Sequence, residues 1–121
     1  MEVLISRYDA ATEFLTPERC HITELLNRSE IPTLSLALAR VSPGVTTQLH
    51  ALREIDECYL VIEGTGRVEV DGTRQSTIER FDVVVIPAGK AQRIQNVGTQ
   101  DLLFLCVCSP RFMPPAYRAL E

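Results

Sequence analysis

The sequence predicts an all-β domain, either a barrel or a sandwich. Short segments rich in β-branched and other apolar residues recur about every eight to twelve residues. Turn signals separate them, among them the Asp71-Gly72 dipeptide and the proline and glycine of Pro87 and Gly89. No repeat, low-complexity tract or linker interrupts this pattern, so we expect residues 1–121 to form a single domain.

The first half of the chain supplies four predicted strands. Residues 8–18 are expected to be an irregular or briefly helical connection that ends at Thr16-Pro17. Strands are predicted over residues 20–27, 34–41, 46–52 and 57–63. Both faces of the 57–63 segment are apolar, which indicates a strand that needs cover on both sides.

The second half continues with shorter strands. Residues 67–71 and 74–78 are expected to pair across Asp71-Gly72, because both residues of that dipeptide tolerate positive φ. The β-branched run 83–86 ends at Pro87, as a strand should, and strands 91–96 and 102–108 follow. Residues 114–120 begin with two prolines and are expected to form one or two helical turns.

Composition and charge exclude several function classes. The 121 residues carry a formal net charge of −4 and a pI near 5.2, with scattered basic residues, so a nucleic-acid or anionic-membrane partner is not expected. The N-terminus has no signal-peptide pattern, and the longest apolar stretch, 102–108, is too short to span a bilayer. A cytoplasmic location is therefore predicted, in which the four cysteines are reduced, buried, small apolar side chains.

Three polar side chains are candidates for a shared pocket. His50 and Leu52 lie on one face of their strand, because side chains alternate with period two. Glu57 is the first inward position of the next strand, where a buried carboxylate must be paired, protonated or bound to a metal. If the strands close into a barrel, the amide of Gln92 could meet both.

The spacing of these residues resembles the two motifs of the cupin family. Gly44, His50, Glu57 and Gly64 fall on the landmarks of the first motif, over residues 44–64, with Leu52 in place of its second histidine. Asp82, Pro87, Gly89 and Asn96 fall on those of the second, over residues 81–96, with Phe81 in place of a glycine and Gln92 in place of the third histidine. The resemblance implies a cupin jelly-roll β-barrel with a short C-terminal helical turn.

The resemblance also implies a metal site at His50, Glu57 and Gln92. One imidazole, one carboxylate and one amide suit a divalent transition metal such as Mn, Fe, Ni or Zn, held more weakly than by three histidines. Gln48, Leu52 and Tyr59 are expected to line the pocket, and no organic cofactor is expected. The glycines, Pro87 and Asn96 are interpreted as scaffold.

Three functions remain open from the residues. The first is a metal-associated enzyme that acts on a small polar metabolite, as an isomerase, lyase, decarboxylase or, less readily, dioxygenase. The second is a metal-free isomerase or epimerase in which His50 and Glu57 act as an acid–base pair on a sugar or keto acid. The third is a small-molecule binding module without turnover. We also expect a homodimer, because the apolar outer face of the 57–63 strand needs a second layer.

Overall fold

The chain folds into two antiparallel β-sheets that face each other, as described by a computed structural model for residues 2–121. The strands are β1 (Phe14–Leu15), β2 (His21–Leu26), β3 (Ser35–Val41), β4 (His50–Leu52), β5 (Asp56–Glu63), β6 (Gly66–Val70), β7 (Thr73–Ile78), β8 (Val83–Ile86), β9 (Gln92–Asn96), β10 (Leu102–Ser109) and β11 (Tyr117–Ala119). Two single 3₁₀ turns cover Ala10–Thr12 and Pro114–Ala116.

The six-stranded sheet has the order β1-β2-β3-β10-β5-β8, and the five-stranded sheet has the order β11-β4-β9-β6-β7. From β3 onward every connection except that between β6 and β7 crosses from one sheet to the other, so β4 lies in one sheet and β5 in the other. This is the jelly-roll arrangement, and the predicted all-β jelly-roll barrel is confirmed.

Apolar side chains from both sheets fill much of the space between them. Val41 and Phe104 come from the six-stranded sheet, and Val68 and Ile94 from the five-stranded sheet. All four are buried and belong to one continuous cluster. A second, smaller apolar cluster is formed by Leu52, Ile55 and Cys108.

Two turns show how the local sequence sets the fold. Asp71 and Gly72 both have positive φ, 48° and 80°, and they join β6 to β7 as the sequence predicted. Gly64 has a φ of 89°, and a Cβ there would lie 2.8 Å from the carbonyl oxygen of Asp101. Only glycine allows that approach between the ends of β5 and β10.

The structure corrects the sequence prediction at both ends of the chain. After one 3₁₀ turn, Tyr117 has an extended backbone, and β11 pairs with β4 instead of continuing as a second helical turn. Phe14–Leu15 forms a short strand within a segment expected to be irregular. β4 is shorter than the predicted 46–52 strand, because Thr46 makes only an isolated bridge to Gln95 and regular pairing begins at His50.

The four cysteines are free thiols. Cys20 and Cys108 are buried, as predicted for all four, whereas Cys58 and Cys106 are half-buried. Within residues 2–121 there is no helix of the length and apolar character needed to cross a membrane.

Candidate functional site

A cavity of about 380 Å³ opens between the two sheets. Strands of both sheets contribute to its wall, as does the loop before β2. The lining residues are Phe14, Thr16, Pro17, Glu18, Ile22, Glu24, Asn27, Ser35, Leu36, Ala37, Gln48, His50, Leu52, Glu57, Cys106, Cys108, Phe112, Pro114 and Tyr117. A smaller cavity of about 40 Å³ also has His50 and Glu57 in its wall, together with Tyr59.

The imidazole of His50 is buried, with 6% of the residue exposed, and is held in one tautomer. Its Nδ1 lies 2.7 Å from the backbone carbonyl oxygen of Gln48. Because a carbonyl oxygen can only accept a hydrogen bond, Nδ1 must carry the proton in this contact. The neutral ring therefore has its free lone pair on Nε2, the nitrogen left to take a proton or bind a ligand.

A second group of contacts fixes the plane of that ring. Tyr117, on β11, stacks on His50 with ring centroids 4.9 Å apart and planes inclined by 14°. Its hydroxyl donates to Gln48 Oε1 at 2.7 Å and lies 3.3 Å from Glu18 Oε2. Glu18 Oε2 is also 3.7 Å from His50 Nδ1, so a counter-charge lies close to the ring if it becomes protonated.

The carboxyl group of Glu57 is the most unusual feature of the cavity wall. The residue is 7% exposed, and Oε2 accepts a 3.7 Å contact from Cys108 Sγ. Oε1 is buried and has no hydrogen-bond partner within the described chain. Burial raises the pKa of Glu57 to about 7, although nearby Gln92 and Cys108 offset part of the rise. The group can thus give or take a proton near neutral pH.

Gln92 lies beside His50 and is engaged by a tyrosine from the other sheet. Its Cα is the cross-strand partner of the Cα of His50, in the pairing of β4 with β9. The hydroxyl of Tyr59, on β5, donates to Gln92 Oε1 across the barrel. Both residues are buried, and burial also raises the pKa of the Tyr59 phenol. The amide oxygen therefore already has a donor.

The side chains at this site do not fit a resident transition metal. Of the predicted ligands, Gln92 offers only a weak amide oxygen, and the Tyr59 hydroxyl already donates to it. His50 supplies the one imidazole, and Leu52 supplies no donor in place of a second. No cluster of three His, Cys, Asp or Glu side chains in residues 2–121 is arranged to hold a metal ion. The orphaned Glu57 Oε1 alone does not make up a coordination sphere.

The predicted site residues can now be placed individually. His50, Glu57, Gln48 and Leu52 lie in the wall of the larger cavity, and Tyr59 lies in the wall of the smaller one. Gln92 is buried behind this wall, adjacent to His50.

Sequence reasoning missed Glu18 and Tyr117, which contact the His50 environment from two distant segments. The alternation of apolar and polar residues after the proline pair is a signal for β11, but nothing local marks Glu18.

Comparison with known proteins identifies a sequence family and several solved structures with a similar fold. Residues 37–108 match the sequence profile of the cupin domain. The uncharacterized protein MJ1618 of Methanocaldococcus jannaschii is 29% identical over 123 residues, which cover 100% of this chain and 98% of that protein.

Two solved structures illustrate the likeness in fold. A predicted oxalate decarboxylase from Thermotoga maritima has a TM-score of 0.78 and 23% identity, with 88% of this chain and 99% of that chain covered. Pac13, described as a unique nucleoside dehydratase, has a TM-score of 0.78 and 13% identity, with 95% and 90% covered. With the sequence profile matched over more than half of its length, this chain belongs to the cupin family.

Proposed function

We propose that this chain, as a single cupin domain, is a small enzyme that moves protons within a bound organic molecule without a metal ion, as an isomerase or a lyase. The observation that carries the proposal is the Glu57 carboxyl group. It is buried, its Oε1 has no partner, and its pKa of about 7 suits exchange of a proton at neutral pH. His50 lies in the same cavity wall with Nε2 free.

The two groups have complementary roles in such a reaction. Nε2 of neutral His50 accepts a proton from the bound molecule, and the protonated carboxyl group of Glu57 donates one to an oxygen of that molecule. One proton leaves the substrate and one enters it. His50 then releases a proton to solvent and Glu57 takes one up, so the enzyme returns to its starting state.

The side chains of His50, Glu57 and Gln92 support this metal-free reaction better than the metal-dependent reaction that the family resemblance implied. A metal held by His50, Glu57 and Gln92 would have to share the Gln92 oxygen with the Tyr59 hydroxyl. The existence of a dehydratase on the same fold supports lyase chemistry as one outcome. Decarboxylation of oxalate is supported less well, because no lysine or arginine of the described chain lines the cavity to receive a dianion.

Hydrogen–deuterium exchange tests the proposal for any reaction in which a proton leaves carbon. Compounds that raise the melting temperature of the protein are incubated with it in D₂O, and loss of C–H signal is followed by proton NMR. We expect exchange with the wild type, and a rate lower by about 10²- to 10⁴-fold with either His50→Gln or Glu57→Gln. Glu79→Gln is the control, because Glu79 is exposed and lies outside the cavity wall.

Two results would count against the enzyme. Exchange that persists undiminished in Glu57→Gln would remove Glu57 from the chemistry. Binding of many compounds with no exchange and no product would favour the second candidate, a binding module, for which a cavity without turnover is sufficient.

The homodimer also remains a proposal, supported by the outer face of the six-stranded sheet. Cys58 pairs with Val85 and Leu60 with Val83, so these side chains share the face opposite Glu57 and Tyr59. Val83 and Val85 are 58% and 64% exposed. The N-terminal segment does not provide the cover, because Val3 and Ile5 are themselves exposed. A second copy of the chain would bury this face.

A further inference from the structure

The ionisable side chains that line the larger cavity are acidic apart from His50, the Cys106 and Cys108 thiols and the Tyr117 phenol. Three glutamate side chains lie in its wall, from Glu18, Glu24 and Glu57. None of its described lining residues is a lysine or an arginine, and His50 is the only group there that can become a cation. An anion that entered would lose hydration without gaining a positive partner.

The rest of the wall is mostly apolar and partly aromatic. Phe14 and Ile22 lie in the wall formed with the six-stranded sheet, whereas Leu52 lies in the five-stranded sheet. Phe112 belongs to the segment between β10 and β11. Such a surface favours an apolar molecular body, in contrast to the polar metabolite that the sequence suggested.

The polar group that the ligand must offer is indicated by Glu57. Glu57 belongs to the cavity wall, and its Oε1 is buried and accepts no hydrogen bond from the described chain. A buried acceptor without a donor is costly, and a ligand N–H or O–H placed there removes that cost. The acidic wall and the unpartnered oxygen are separate observations. The first disfavours an anionic ligand, and the second favours a ligand with an N–H or O–H group.

We propose that the ligand is a neutral or cationic molecule with an apolar body that donates an N–H or O–H to Glu57 Oε1, and that carboxylates and phosphates are excluded. This inference names the substrate class of the site and rests on the proposed function only in using the same cavity. It concerns binding, so it stands or falls separately from turnover.

A matched set of three probes tests it: 3-phenylpropan-1-ol, 3-phenylpropylamine and 3-phenylpropanoate, which share one apolar body. Dissociation constants are measured calorimetrically at pH 8 and low salt with the 121-residue chain. We expect the alcohol and the amine to bind at least about tenfold more tightly than the carboxylate, because like charges repel at short range and low salt leaves that repulsion largely unscreened.

The variants Glu57→Gln and Arg111→Gln test whether the preference depends on Glu57 and not on a nearby basic residue. Glu57→Gln should reduce the ratio between amine and carboxylate several-fold, since it removes one negative charge and leaves an amide of the same size. Arg111 is the basic residue that contacts the wall residue Asn27, with Nη1 2.8 Å from Asn27 Oδ1. Arg111→Gln should leave the ratio unchanged.

Three results would overturn the inference. The first is a carboxylate that binds as tightly as the alcohol, above all if Arg111→Gln then weakens it. The second is a ratio that Glu57→Gln does not change. The third is failure of all three probes to bind at millimolar concentration, which would show that the cavity does not accept an apolar body.

Exchange in D₂O distinguishes this inference from the proposed function. Selective binding of the alcohol and amine with no proton exchange in any ligand would leave the substrate class standing and contradict the enzyme. Exchange confined to anionic compounds would do the reverse.

Discussion

Tyr117 stacks on the imidazole of His50, with 4.9 Å between ring centroids, and this contact ties the last strand of the chain to the cavity. β11 pairs with β4, so that Tyr117 is the cross-strand partner of Leu52, two residues from His50. The tyrosine hydroxyl reaches Gln48, whose backbone carbonyl holds His50 Nδ1. One aromatic residue therefore contacts both the ring of His50 and the residue that fixes its tautomer.

Tyr117→Phe and Tyr117→Leu should separate these two contributions. Phenylalanine keeps the stacking but loses the hydroxyl contacts with Gln48 and Glu18, whereas leucine loses both. We expect a smaller fall in proton-exchange rate for phenylalanine and a larger one for leucine. The His50 side chain is followed by NMR, where Tyr117→Leu should broaden or shift the imidazole signals. Unchanged signals and rates in both variants would show that Tyr117 does not position the ring.

Glu57→Gln should stabilise the protein at alkaline pH. The folded pKa of Glu57, about 7, lies above its ordinary value of 4.5, so the folded state keeps a proton that the unfolded state has released. Stability from this group is complete below pH 4.5 and is lost as pH rises through 7. The loss amounts to roughly 3 kcal/mol for a shift of this size.

Urea unfolding of the wild type and Glu57→Gln at pH 4.5 and pH 8 measures the effect. The difference between the two proteins should favour the variant more strongly at pH 8, and Glu79→Gln should show no such pH dependence. A difference that is the same at both pH values would mean that Glu57 ionises normally in the folded protein.

The fold and the cavity differ in how far the sequence could predict them. Gly64 and Asp71-Gly72 are residue types that tolerate the positive φ they adopt, so the sequence predicts the turns on either side of β6 correctly. The direction of Glu57 also followed from strand alternation. The partner of Gln92 did not, because Tyr59 reaches it across the barrel from the other sheet. Glu18 is far from His50 in the sequence, and only the closed barrel brings them together.

Tyr59→Phe should destabilise the protein by about 1–3 kcal/mol, although it removes only one oxygen. The variant leaves Gln92 Oε1 buried without its donor, and an unsatisfied buried acceptor carries a cost of that order. Urea unfolding measures the change. The double variant Tyr59→Phe with Gln92→Leu removes both partners and should recover part of the loss, whereas additive losses would show that the two side chains are not coupled.

Val83→Glu with Val85→Glu should prevent dimerisation. These exposed valines lie on one face of the edge strand β8, next to Leu60 and Cys58, and a charged pair cannot be buried there without a partner. Sedimentation of the wild type should give twice the chain mass of 13.5 kDa, and the variant should give the chain mass alone. Gln75→Glu, on the exposed strand β7 of the other sheet, is the control. A monomeric wild type at micromolar concentration would contradict the dimer.

Leu52→His combined with Gln92→His should create a metal site that the natural chain does not have. Both positions correspond to histidines in the cupin motifs, and the double change would place three imidazoles with Glu57 around one end of the cavity. It also removes the amide oxygen that Tyr59 occupies. Cobalt(II) and zinc are suitable probes, because imidazole is a preferred ligand of both.

We expect the double variant to bind close to one equivalent of cobalt, with visible absorption of a coordinated ion, and the wild type to retain less than a tenth of an equivalent after dialysis, roughly the level of contamination. Chelation should leave proton exchange by the wild type unchanged. Stoichiometric metal in the natural protein, with exchange lost on chelation and restored by one ion, would show that His50, Glu57 and Gln92 coordinate despite the contact with Tyr59. The metal-free mechanism would then be wrong.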